Sequence, residues 1–274
     1  MIAINRIRDD DLITHKLKGV ELEKILKALL VKRIRHEQDN TIKFKVISKW
    51  KPAKEQLIIE SNGKCAFCEC EIPSHSNGDV EHYRPKSIYW WLAYAIDNFL
   101  LSCSICNQRK LNHFDVRNVR VSCGNLPDET DVQGIDNFIK QFARNPARAN
   151  TNNSIIGLKK LRSKEKPKLL NPYLEDKIED YFIWSFDDVL KEVEMSPKPS
   201  LSKQKKENAT YTIKLLDLNR IRLKKRRYKE LLKLRKTIEL GATFGMIQPL
   251  YLLPDCEYAG MNKFYCKEVG LETN

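Results

Sequence analysis

The tightest constraint in the 274-residue chain is a pair of Cys-x2-Cys knuckles, Cys65/Cys68 and Cys103/Cys106, with 34 residues between them. Two knuckles at that separation suit four thiolates wrapped tetrahedrally around Zn²⁺. Cys70 lies two residues beyond Cys68 and is the substitute ligand, but the CxxC spacing favours Cys68. Cys123, Cys256 and Cys266 share no such spacing and read as ordinary buried thiols. The N-terminus lacks an apolar run, since Arg6 and Arg8 lead straight into Asp9-Asp10-Asp11. A cytoplasmic chain is expected on that ground, and a reducing cytosol disfavours disulfides. The longest uncharged stretch, Leu240 to Pro254, holds two Gly and two Pro and falls short of the roughly 20 apolar residues a span requires. No membrane partner is expected.

Charge supplies the second constraint. The chain carries 49 Lys+Arg against 36 Asp+Glu, a formal +13 that points to a polyanionic partner. From Lys203 to Lys236, 14 basic residues face only Glu207, Asp217 and Glu230, so +11 of the excess sits in 34 residues. The same stretch repeats Tyr211, Leu215, Leu218 and Ile221, then Tyr228, Leu231/Leu232 and Ile238, which predicts a helical region with one packing face. A solvated face, a nucleic-acid track and an acidic protein surface are all compatible with it.

Elsewhere the periodicity is mostly helical. Val20–Ile34 repeats Leu22, Ile25/Leu26, Leu29/Leu30 and Ile34. Lys51–Glu60 has Pro52 in its first turn and Ser61-Asn62-Gly63 as its stop. Gln133–Arg144 and Glu175–Asp187 also read as helices, and Ser196-Pro197-Lys198-Pro199-Ser200 as a linker.

Chemistry concentrates between the knuckles, in Gly78-Asp79-Val80-Glu81-His82-Tyr83-Arg84-Pro85-Lys86. A carboxylate beside a histidine at the end of a short strand sets a hard oxygen ligand next to a proton acceptor. Asn98 follows His82 after 15 residues, and Asn107 follows Asn98 after 8, directly behind the second knuckle in Cys106-Asn107-Gln108-Arg109-Lys110. His15, His36, His75 and His113 have no partner pattern and read as structural or solvent-exposed, with packing the expectation for His113.

CxxC, Asp-Val-Glu-His-x2-Pro, Asn-x4-CxxC-Asn and a following lysine, in that order, resemble the HNH or ββα-metal endonuclease family. The resemblance implies His82 as general base, Glu81 as ligand of a catalytic Mg²⁺ (or Mn²⁺), and Asn98 as the residue bracing the loop that holds the base. Asn107 takes the third position, where many members have His, and becomes the second Mg²⁺ ligand. Asp79 is the reserve carboxylate, shaping the strand or supporting a ligand. Cys65, Cys68, Cys103 and Cys106 hold a structural Zn²⁺. Arg84, Lys86, Arg109 and Lys110, at the motif's edges, are candidates for phosphate contacts.

The segments Tyr89-Trp90-Trp91-Leu92-Ala93-Tyr94, Leu169-Leu170-Asn171-Pro172 and Thr212 to Arg220 extend the similarity, over roughly residues 50–230, to the HNH subunit of Septu-type anti-phage systems, also found beside retrons. The aromatics would also pack over the strand–helix unit. That similarity implies a nuclease acting on DNA as the effector of a two-protein defence system, with an ABC/SMC-like ATPase subunit (PtuA-type) as partner. No GxxxxGK[ST] loop occurs here, so any ATP dependence comes from another chain. The basic region could then bind substrate, the ATPase or both, and its apolar stripe favours docking. An RNA-cleaving effector, for instance acting on tRNA, and a non-catalytic zinc-stabilised nucleic-acid-binding adaptor are the alternatives. The adaptor predicts an eroded triad, whereas Glu81, His82, Asn98 and Asn107 are intact.

The expected fold is α+β and mainly helical: a ββα-metal HNH core with paired CxxC zinc knuckles, surrounded by helices. Its expected divisions are residues 1–62, an N-terminal helical region; 63–125, the nuclease core; 126–200, a helical extension and linker; and 201–274, a basic helical region.

Overall fold

A computed structural model describes residues 1–73, 78–142 and 155–271. Its elements run α1 (Gly19–Gln38), α2 (Lys54–Glu60), β1 (Asp79–His82), β2 (Phe99–Ser102), α3 (Ser104–Lys110), α4 (Val132–Phe142) and α5 (Ile155–Glu165). The second half adds β3 (Phe182–Asp187), β4 (Glu192–Pro197), α6 (Lys203–Leu215), α7 (Ile221–Glu239), α8 (Phe244–Ile247) and α9 (Ala259–Glu268). The fold is α+β with two small sheets, mostly helical, and no helix is long and apolar enough to cross a membrane.

The leucine repeat of α1 buries Leu22, Leu26, Leu29, Leu30 and Ile34. A 3-10 turn containing Pro52 leads into α2, and Asn62 and Gly63 end that helix with left-handed backbone, the Gly63 N–H returning to the Ile58 carbonyl. Gly78 opens β1 at φ +59°, where an added Cβ would meet the Ile72 side chain at 2.8 Å, so this corner needs glycine. β1 and β2 pair antiparallel with Asp79 opposite Ser102 and His82 opposite Phe99, and every residue of β2 is buried. Cys103 is the N-cap of α3. The aromatic segment from Tyr89 to Tyr94 is buried, with Trp90 stacked on Phe138 of α4. The far end of the expected helix Gln133–Arg144 and His75 lie outside the described residues.

Two expectations fail, and a third is refined. Glu175–Asp187 is a 3-10 turn, Ile178–Tyr181, followed by strand β3. The sequence Phe182-Ile183-Trp184-Ser185-Phe186 obeys period 2 better than 3.6, and Phe264 of α9 packs against Trp184 and Phe186. Ser196–Ser200 is no linker: Ser196 and Pro197 complete β4 opposite Ile183 and Phe182, and the Lys198 N–H bonds the Tyr181 carbonyl. Pro197, at the end of a two-stranded sheet, leaves no ladder bond unmade. The basic stretch is two helices, broken at Asp217 with φ +48°. Asn219 fixes that corner to β4 by exchanging hydrogen bonds with both the N–H and the carbonyl of Met195, at 2.9 and 2.8 Å. A continuous apolar core runs from Met1 through the aromatic segment and the β3–β4 hairpin to Met261, with a smaller cluster around Leu234, Ile247, Leu252 and Cys266.

Candidate functional site

The four knuckle cysteines come together with their sulfur atoms within 4.8 Å of one another, a cluster able to bind a metal ion such as zinc. Among the described residues it is the one convergence of three or more Cys, His, Asp or Glu donors. Cys68 and Cys103 approach to 3.8 Å, and the Cys106 N–H donates to the Cys103 sulfur. Hydrogen bonds from the other thiols, Cys103 foremost, pull the Cys68 thiol well below its usual range, while burial pushes Cys65 well above it. Cys70 is outside the cluster and contacts the Tyr258 hydroxyl at 3.0 Å. Arg220, between α6 and α7, brings Nη1 to 4.0 Å from the Cys106 sulfur. Burial alone would lower its pKa, but nearby thiols, Cys106 first, raise it. Of the remaining cysteines only Cys266 is fully buried; Cys123 and Cys256 are half-exposed, contrary to expectation.

Beside this cluster lies a cleft of about 340 Å³ whose walls include Asp79, Glu81, His82, Lys86 and Asn107, with Trp50 across from them. β1 supplies the acids at alternate positions, so Asp79 and Glu81 share one strand face. α3 brings Asn107, whose amide donates to Asp79 Oδ2 at 3.0 Å. His82 Nε2 lies 2.9 Å from the Ala93 carbonyl and acts there as donor, which assigns the lone pair to Nδ1. Its ring packs edge-on against Trp50 at 4.7 Å and Phe99 at 5.0 Å. Burial pushes its pKa down to about 3, opposed by the Ala93 bond, so the imidazole is neutral at physiological pH.

Asn98 does not line the cleft. It is fully buried, accepting from the Arg84 N–H at 2.8 Å and donating to the Arg84 carbonyl at 2.9 Å, and so braces the turn that follows His82. The four basic candidates separate. Lys86 lines the cleft, its ammonium 5.0 Å from the Trp50 ring centroid. Arg109 is exposed on α3 and pairs with Asp217 at 2.9 Å. Arg84 and Lys110 are both 0% exposed, which removes them from phosphate contact in this structure. Arg84 pairs with Glu165 at 2.9 Å amid Tyr83, Tyr89 and Phe114. Lys110 reaches Glu81 Oε1 at 2.6 Å and the His82 carbonyl at 2.7 Å. Sequence spacing placed both at the motif's edge but could not reveal the acids that draw them inward. His113 is exposed rather than packed.

The sequence reading missed the wall formed by Ser48, Trp50, Lys51 and Lys54. Lys51 and Lys54, one helical turn apart after an exposed-looking Trp, were the available signal, but nothing in their spacing tied them to His82.

No family model matches the chain. It is similar to the Septu protein PtuB of Bacillus mycoides (strain KBAB4), 32% identical over 130 residues, covering 42% of this chain and 40% of that protein. It is also similar to the Septu protein PtuB of Bacillus thuringiensis, 41% identical over 61 residues, covering 22% of this chain and 24% of that protein. The matched part thus spans two-fifths or less of these relatives' length.

Proposed function

We propose that the chain is a metal-dependent HNH endonuclease that hydrolyses phosphodiester bonds of DNA, acting as the effector subunit of a two-protein anti-phage defence system. The observation that carries the reading is one cleft lined by a neutral, hydrogen-bonded histidine, hard oxygen donors and a lysine, built on two antiparallel strands followed by a helix. That order of elements is the one the ββα-metal resemblance implies. Similarity to the Septu proteins supports the defence setting and an ABC/SMC-like ATPase of the PtuA type as partner.

The donors fit a hard divalent cation: Asp79, Glu81 and Asn107 offer only oxygen at the cleft wall. Glu81 and Asn107 would hold Mg²⁺ or Mn²⁺, with Asp79 orienting Asn107 through their hydrogen bond. Such an ion supplies charge relief to the phosphate and the departing oxygen. His82, with Nε2 engaged by Ala93, has Nδ1 to accept a proton from the attacking water. Lys110 holds Glu81 and the His82 carbonyl in one register, fixing acid and base together. Lys86 stands at the cleft to meet a non-bridging phosphate oxygen. Four thiolates around Zn²⁺, three of them buried, would tie the turn before β1 to the start of α3.

The test is cleavage of plasmid, linear DNA and total RNA, including tRNA, by the chain with and without its ATPase partner, in Mg²⁺ and in Mg²⁺-free buffer. We expect Mg²⁺-dependent DNA cleavage that His82→Ala abolishes. Equal cleavage by His82→Ala would sink the catalytic assignment, and RNA-only cleavage would redirect the substrate.

A further inference from the structure

We infer that the outward face of α7 is a track for the phosphate backbone of double-stranded DNA, feeding the cleft rather than docking a protein subunit. The inference deepens the nuclease reading and rests on it only for the polymer's purpose, not for its binding.

The residues exposed along one side of α7 are Arg222, Lys225, Arg226, Lys229, Lys233 and Lys236. At 3.6 residues per turn these six cations share an arc of about 100°, with the exposed Ile221 and Glu239 at its edge near the two ends of the helix. From Arg222 to Lys236 the stripe runs about 21 Å at 1.5 Å per residue, some six base pairs of duplex. Two of the six are matched by acids, Arg226 by Glu257 and Lys233 by Glu230. Arg222, Lys225, Lys229 and Lys236 form no ion pair among the described residues. By contrast, the cations at the flanks of α7 are provided for: Lys224 meets Glu192 at 2.6 Å and Arg235 meets Asp188 at 2.5 Å.

Like charges at i,i+3 and i,i+4 repel and weaken a helix by about a few tenths of a kcal/mol per pair, a repulsion that a bound polyanion relieves. The apolar side of α7 is consumed within the chain, where Leu223, Tyr228, Leu231 and Leu234 are buried. Without an aromatic or aliphatic anchor at its centre, the outer face lacks what a protein interface uses, and has what a phosphate track needs. Its head adjoins the candidate site: Asp217 pairs with Arg109 of α3, and Arg220 approaches Cys106, on the same short helix that carries Asn107 to the cleft.

The experiment is fluorescence anisotropy of the full chain with a labelled 30-base-pair duplex of mixed sequence, at 50 to 200 mM KCl. All proteins carry His82→Ala, so cleavage cannot erode the probe. The stripe variant replaces Arg222, Lys225, Lys229 and Lys236 by Gln. A charge-matched control replaces Lys16, Lys32, Lys43 and Lys45, also exposed, by Gln. With a slope of about 0.9 per phosphate, four lost contacts remove roughly 150-fold of the affinity change between 50 and 200 mM salt. We expect the stripe variant to bind at least tenfold more weakly at 100 mM with a flattened salt dependence, and the control to remain near the parent. Equal binding and equal slopes for the two variants would overturn the inference. So would a stripe variant that keeps DNA binding but loses association with an acidic protein subunit. Stripe-dependent binding alongside a wild-type chain that cleaves nothing would overturn the nuclease reading alone.

Discussion

Replacing Glu165 by Gln tests the structure most severely, because it leaves Arg84 charged with nowhere to go. Both side chains are fully buried, and Glu165 accepts three hydrogen bonds: Arg84 Nε at 2.9 Å, the Tyr89 hydroxyl at 2.7 Å and the Val121 N–H at 3.0 Å. The amide keeps the carboxylate's shape but not its charge, and its NH₂ end must face donors. Arg84 Nη1 and Nη2 already lack partners among the described residues, so no second acceptor stands ready. Breaking one side of a buried pair costs about 3–5 kcal/mol, a large share of the 5–15 kcal/mol that stabilises a typical domain. The assay is urea unfolding of the zinc-loaded chain, followed through Trp90 and Trp91, whose segment begins at Tyr89. Glu165→Gln should lower the unfolding free energy by about 3 kcal/mol or more. The Arg84→Met/Glu165→Leu double variant should lose less than either single change, since no charge is stranded. A loss below about 1 kcal/mol for Glu165→Gln would refute the reasoning, because it would mean that the guanidinium finds solvent or another acceptor.

Metal analysis of the dialysed protein should find about one zinc per chain, and Cys65→Ser or Cys103→Ser should abolish it and destabilise the fold. Arg220→Ala should weaken zinc retention by about 10- to 100-fold in chelator competition, because it removes the positive charge beside Cys106. Acid should destabilise the chain through His82: its folded pKa of about 3 lies below the ordinary 6.5, so the unfolded state binds the extra proton. Stability from this group is complete above about pH 6.5 and falls as pH drops toward 3, by roughly 2 kcal/mol at pH 5. His82→Gln should flatten that limb of a pH–stability curve measured by thermal unfolding.

The sequence made local chemistry legible and left distant partners dark. Two CxxC knuckles announce their cluster because three-residue spacing within a turn restricts thiol geometry, and only one tertiary meeting remains to be guessed. Glu81 and His82 were similarly readable as strand neighbours, and Asn107 by its place behind Cys106. Arg84 and Lys110 looked the same as Lys86 on paper, since burial depends on Glu165, 81 residues away from Arg84, and on Glu81 of β1, which pairs with Lys110. The β3–β4 hairpin was hidden by Ile178 and Tyr181, whose three-residue separation mimics a helix, while the decisive packing comes from Phe264 of α9. The charge of the Lys203–Lys236 stretch was plain from counting, but its division at Asp217 follows from a left-handed residue that no periodicity marks.

Asn98 has a consequence for how this protein ages. Its amide donates a hydrogen bond to the Arg84 carbonyl and accepts one from the Arg84 N–H, so the one-atom change to Asp would set a carboxylate oxygen against a carbonyl. Asparagine makes that change by itself when the next backbone nitrogen attacks its side-chain carbonyl. Here that nitrogen belongs to Phe99 and is already committed to the Ile96 carbonyl, in a pocket closed to water. The turn behind His82 therefore protects chemically the residue on which its own shape depends.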